Sequence, residues 1–200
     1  MATPIGHGLA GYLVYRGFAR GNSTDSKRLM LLCVCLAISP DLDFLPGILY
    51  GQPALYHQGV THSLAFAAAA GLIATMVDKT YAKAPGSLLG KWSVLSLAYT
   101  SHLFLDLFGP DKRPPYGIPL FWPLSDATYL SPVQIFWGVH HAKSTSTSTM
   151  EWVMGILDVY NIGAIGIEVA VVLPWILLVV YVQRRGREGK GFWGSKEMKR

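Results

Sequence analysis

Apolar positions run along this chain in long blocks, broken by short polar, Pro-rich or Gly-rich stretches. That pattern predicts helices that meet lipid rather than alternating strands. Five helical segments follow from it. Residues 5–20 form a short one, interleaved with Gly and ending in Arg16 and Arg20. Residues 28–39 (RLMLLCVCLAIS) form the second, halted by Pro40, which cannot continue a helix hydrogen-bond ladder. The following PDLDFLPGILY is an irregular or re-helical exit. Residues 61–77 form the third, and their Ala and Gly content suits close helix packing. Residues 88–108 form the fourth. The fifth runs through 152–183 and is apolar from Gly163 to Val182. A membrane span needs about 20 apolar residues. The fourth and fifth segments fit, the third is marginal, and the first two are short enough to tilt or lie partly in the interface. The expected fold is an all-α integral membrane bundle of about five helices, with no internal repeat.

A long loop, residues 109–150, precedes the last helix. Its first part is rich in Pro and aromatics, with Tyr116, Phe121, Trp122 and Tyr129 suited to the headgroup level. It ends in a Ser/Thr run at 144–149 that has the composition of a surface link.

Composition strengthens the membrane reading. Hydrophobic residues make up 51% of the chain and charged residues 14%, against roughly 25% charged in soluble domains. The net charge is +5, and its placement is more informative than its size. Seven of the seventeen Lys and Arg residues follow residue 183. Residues 184–200 therefore look like a basic cytoplasmic tail at the membrane surface, behind an embedded domain spanning 1–183. With the tail inside, alternating crossings also place Arg16, Arg20, Lys27, Arg28, Lys79, Lys83 and Lys91 inside. Lys112, Arg113 and Lys143 remain in the outer loop. The expected location is the inner (cytoplasmic) membrane, multi-pass, with the lipid bilayer as partner. No nucleic-acid module is visible, so no nucleic-acid partner is expected. The opening MATPIGHGLAGYLVYRGF has no basic region before its apolar part, which favours a retained helix over a signal peptide. Cys33 and Cys35 are two apart on a helix and point to different faces, so they read as small packing residues.

The ionisable residues converge on that topology. His7 opens the first helix, Asp41 and Asp43 follow the second, and His57 and His62 flank the start of the third. His102 and Asp106 lie near the end of the fourth. All fall at the outer ends of their segments, and none entered the count of basic residues that set the topology. His102 and Asp106 share a helix face one turn apart. Imidazole with carboxylate suits zinc, or less specifically manganese or iron. Seven donors exceed what one zinc uses, so two or three ions sharing carboxylates are expected. Singly, each residue has a plainer reading. A His at a helix end is commonly a cap, Asp41 suits a turn beside Pro40, and His102 with Asp106 can be an isolated pair. Together, ionisable groups at one membrane depth point to function. His140, His141, Glu151, Asp158 and Glu168 are second choices. Glu168 lies inside the last apolar helix and should face a protein partner or a cavity.

The motifs His7-Gly8, Pro40-Asp41-Leu42-Asp43, His57-Gln58-Gly59-Val60-Thr61-His62-Ser63 and His102-Leu103-Phe104-Leu105-Asp106 resemble the YdjM-like membrane-bound metal-dependent hydrolases. These are LexA-regulated inner-membrane proteins of bacteria and archaea. Trp122-Pro123-Leu124 matches the family's Trp-Pro stretch, and the resemblance covers roughly residues 1–180. Gln58 stands where the family commonly carries Arg, which bears on substrate charge; Lys112 and Arg113 are candidate replacements. The family is in turn distantly similar to zinc-dependent phospholipase C and P1-type nucleases. That similarity implies a multi-zinc site and a phosphoester substrate.

The expected function is metal-dependent hydrolysis of a phospholipid-like phosphoester at the outer interface. Asp41 or Asp43 would act as general base. The alternative is a non-enzymatic membrane protein, either a metal-stabilised scaffold or a metal carrier. A carrier needs its polar groups near the bilayer midplane, whereas these cluster at one face. A metal-assisted ester or amide hydrolase also stays open. A serine hydrolase is disfavoured, because Gly-x-Ser-x-Gly is absent.

Overall fold

The computed structural model describes residues 1–18, 24–52, 55–78, 88–111, 115–140 and 149–197. Over these residues the protein is all-helical. The helices are α1 (Pro4–Phe18), α2 (Thr24–Ile38), α3 (Phe44–Leu49), α4 (Leu64–Val77), α5 (Leu88–Leu107), α6 (Thr149–Ile156) and α7 (Val159–Glu197). Short 3-10 turns at Ser39–Asp43 and Val60–His62 precede α3 and α4.

Among the described residues, two stretches are long and apolar enough to cross a membrane, Ser26–Leu49 and Val159–Gly186. The first is longer than the sequence suggested. Pro40 ends α2, but its lack of an N–H is harmless at the start of a 3-10 turn, so the chain continues helically into α3. The expected fifth segment is not continuous. Asp158 breaks it, its Oδ1 accepting from Tyr160 N at 2.9 Å and so satisfying a free donor in the first turn of α7. The basic segment after residue 183 continues α7 to Glu197.

The expected fourth segment, α5, is not one of the two apolar stretches. It is the central packed helix, in contact with α1, α2 and α4, while α7 packs on α1. Leu95, Ala98, Tyr99 and Leu103 of α5 are buried. Its Lys91 is buried and pairs with Asp78 at 2.8 Å, at the end of α5 remote from His102 and Asp106.

Small residues set the helix spacing. A Cβ on Gly11 would lie 2.7 Å from Ala37 Cβ, so α1 and α2 touch backbone to backbone there. A Cβ on Gly71 would collide with Ser96, which seats α4 on α5. Ser63 caps α4 by accepting from Phe66 N at 3.2 Å. The loop after α5 folds back over this end. Ile118 bridges to Tyr129, and Leu64 N donates to Leu120 O at 3.0 Å. Large apolar side chains remain exposed along α7, among them Ile162, Trp175, Leu177 and Tyr181, and on α4, where Ile73 and Met76 stand out. A surface this apolar calls for lipid around it.

Candidate metal centre

Antiparallel packing brings one end of α1, α2, α4 and α5 together. The side chains at those ends are His7, Asp41, Asp43, His57, His62, His102 and Asp106. All seven sequence candidates meet there. His7, His62 and His102 are fully buried, and Asp106 is 2% exposed.

Four donors face one point: Asp41, His62, His102 and Asp106. His102 Nε2 lies 3.2 Å from His62 Nε2, 3.5 Å from Asp41 Oδ1 and 3.2 Å from Asp106 Oδ2. His62 Nε2 lies 3.5 Å from Asp106 Oδ2 and 4.0 Å from Asp41 Oδ1. Tetrahedral zinc with bonds of ~2.0 Å separates its ligands by ~3.3 Å. The observed separations are close to that edge.

The backs of both rings are held. His102 Nδ1 donates to Ala37 O at 2.8 Å, leaving Nε2 to face the point. His62 Nδ1 faces Asp43 Oδ2 at 3.3 Å and Thr61 Oγ1 at 3.1 Å. Such outer partners fix the tautomer of a metal-binding imidazole. Asp43 is itself well held, accepting from Gln58 N at 3.1 Å and Thr61 Oγ1 at 2.9 Å, and sitting 2.8 Å from His57 Nδ1. Gln58 makes its bond from a left-handed backbone, φ 63°, an uncommon state for a residue other than Gly. Asp43, His57 and His62 form a second group of possible donors.

His7 stacks on His102 with ring centroids 3.6 Å apart. Its Nε2 lies 3.5 Å from Asp106 Oδ1 and 4.0 Å from Asp41 Oδ2, the carboxylate oxygens not turned to the four-donor point. Neither ring nitrogen of His7 has a hydrogen-bond partner, nor do Asp41 Oδ1 and Asp106 Oδ2. Unsatisfied buried polar atoms are costly, about 1–3 kcal/mol each. Two of them, Asp41 Oδ1 and Asp106 Oδ2, belong to the four-donor group, where a bound cation would satisfy them. The residues present fit a divalent ion.

His57 and His62 lie outside the helical spans and differ in charge. Burial pushes His57 down to about 4, against the pull of Asp43. Burial also opposes the charge on His62, but Asp106 and Asp43 outweigh it and raise the imidazole to about 9.

The chemistry continues outward from Asp41. A cavity of about 250 Å³ opens beside it, with Leu42, Phe44, Leu45 and Ile48 among its apolar walls.

The second-choice residues fare differently. Glu168 does face protein. It is fully buried and accepts from Thr3 N at 2.6 Å and from Thr3 Oγ1, with Gly6 leaving room for its carboxylate. It thus anchors the start of the helix that carries His7. His140 is half-buried, stacks on Tyr160 at 4.0 Å and lies 3.7 Å from Asp158, apart from the cluster. The side chain of Glu151, and all of His141, Lys112 and Arg113, lie outside the described residues. Sequence reasoning passed over Thr61, although it sits inside the quoted motif. It also passed over Thr3 and the Ala37 carbonyl, for which the sequence carries no signal.

The sequence model of the YdjM inner membrane protein family matches residues 1–187. The chain belongs to that family. Every residue of the cluster lies inside the matched range, and the family's description agrees with the two apolar stretches in making this an inner membrane protein. No curated protein and no solved structure matches the chain.

Proposed function

We propose that this member of the YdjM family is a metal-dependent hydrolase of a lipid phosphoester, working at the extracytoplasmic interface of the inner membrane. The observation that carries the reading is the four-donor group of Asp41, His62, His102 and Asp106, in which Asp41 Oδ1 and Asp106 Oδ2 are buried without a hydrogen-bond partner, beside an apolar cavity. Zinc fits the donor set best, and His7, Asp41, His57, His62, His102 and Asp106 are enough donors for two ions that share carboxylates. Bound divalent ions would supply Lewis acidity and bring a water towards ionisation near neutral pH.

The chain's own residues divide the remaining work. His62 and His102 present Nε2 atoms whose direction is fixed from behind. Asp106 spans both sides of the cluster, one oxygen towards His62 and His102 and the other towards His7. Asp43 is occupied by four partners and acts as a positioning residue. Asp41 belongs to the four-donor group and also lines the cavity. Its Oδ1 would help hold an ion, and its Oδ2, turned away from the four-donor point, is the oxygen placed to take a proton from an attacking water.

Topology supports the outer face. Arg16 bonds Gln183 at 3.2 Å and Lys91 bonds Asp78, both at the end of the bundle away from the cluster. Basic residues favour the cytoplasmic side, which leaves the cluster outside. A metal carrier is disfavoured by the same placement at one end. A metal-stabilised scaffold differs in having no position open to a substrate.

The test is hydrolysis of a water-soluble phosphodiester and of a phospholipid by zinc- or manganese-loaded protein. Turnover lost in Asp41→Asn, with its metal retained, supports the reading. No cleavage under any metal contradicts it.

A further inference from the structure

We infer that the cavity beside Asp41 is an acyl-chain site, which takes one hydrocarbon chain of an amphipathic phosphoester while the head group lies on the His/Asp cluster. The inference rests on the hydrolase reading for the fate of the head group, and on the cavity itself for the chain.

Three observations carry it. Asp41 is the one charged side chain in the wall, with Pro4, Leu42, Phe44, Leu45, Ile48 and Ile156 around it. A ligand that fills it must be apolar along its length and polar at one end. The polar end is fixed by Asp41, whose Oδ1 is buried without a hydrogen-bond partner and faces His102 at 3.5 Å. The other end is open to lipid. Leu42 and Leu45 are more than half exposed and belong to the apolar stretch Ser26–Leu49. A chain can therefore enter sideways from the bilayer without crossing water. The volume, about 250 Å³, is below the roughly 300–1,000 Å³ of pockets for whole drug-sized ligands. It suits one chain rather than two.

The test uses the full chain in lipid nanodiscs and a long-chain alkyl phosphodiester carrying a photoreactive diazirine in mid-chain. Labelling should map to Leu42–Ile48 and to Ile156. The long-chain parent should compete it and a butyl homologue should not. Ile48→Trp, which fills the cavity, should cut labelling about tenfold, while labelling of the lipid-facing part of α7 stays constant. Leu45→Trp, at a half-exposed position, is the second variant in case Ile48→Trp does not fold. Labelling confined to α7, or equal in wild type and both variants, overturns the site. So does its replacement by chain-to-chain crosslinks, which would make a second copy the occupant. Cleavage of a soluble phosphodiester is measured on the same preparation. Cleavage without cavity labelling removes the acyl-chain site and leaves the hydrolase. Cavity labelling without cleavage removes the hydrolase and leaves a lipid-chain site.

Discussion

Asp43 and Asp106 face opposite nitrogens of the His62 ring, and their surroundings give them different tasks. Asp106 has an oxygen with no hydrogen-bond partner, whereas Asp43 is bound from four directions. Asp43→Asn should keep the number of bound ions and weaken their affinity by about 10–100-fold, as loss of an outer partner does. Asp106→Asn should lose bound metal altogether. Titration against a competing chelator separates the two, and equal affinities in both variants would oppose the assignment. His62 gives the pH dependence. Its imidazole is raised from 6.5 to about 9 in the metal-free fold, so it is charged at pH 7 and must shed a proton to bind an ion. His57, held down near 4, sheds none. Metal binding at pH 7 should release protons, the one on His62 among them, and tighten as pH rises towards 9. The stabilisation that charged His62 gives the metal-free protein is full below 6.5 and is lost as pH passes about 9. Calorimetry in buffers of different ionisation heat reads the proton, and no buffer dependence would contradict it. At this scale the sequence was informative. The spacing of His102 and Asp106 and the acids beside Pro40 marked the donors. The supports were hidden, because Ala37 contributes only its carbonyl and Thr3 meets Glu168 from the far end of the chain.

The helices place these residues through close backbone contacts. Gly11 lets α1 lie against Cys33 and Ala37 of α2, and His7 sits one turn before it. Gly11→Leu should separate the two helices, at a cost of about 1–3 kcal/mol, and weaken metal binding by moving His7. Gly17→Leu, on the same helix with nothing within 4 Å of its would-be Cβ, should change neither. Thermal unfolding with and without zinc distinguishes them. Helix identity was legible from the apolar blocks, but boundaries were less so. Pro40 looked like a terminus and proved to be a change of helix type. Asp158 looked like a spare acid and proved to be the cap that divides α6 from α7. α5 fitted a span by length alone. Its buried Lys91, Tyr99, His102 and Asp106 lie on the face it packs against α1, α2 and α4, while Leu88, Leu89 and Phe104 stay exposed.

For the molecule as a whole, the cluster lies at one end of a lipid-facing bundle and the paired basic residues Arg16 and Lys91 lie at the other. Membership of the YdjM inner membrane protein family and two apolar stretches set the environment. The unpartnered donor atoms set the chemistry. A metal-dependent enzyme and a metal-stabilised scaffold both require that the cluster hold ions, so that claim is the one to test first. The measurement is the metal content of detergent-purified protein by mass spectrometry, for wild type, His102→Ala and Asp106→Ala, with folding checked by thermal unfolding. The account predicts zinc-like ions at two or more per chain in wild type, lost in both variants while they remain folded. Wild type free of metal after loading, or variants that keep the same ions, would contradict it.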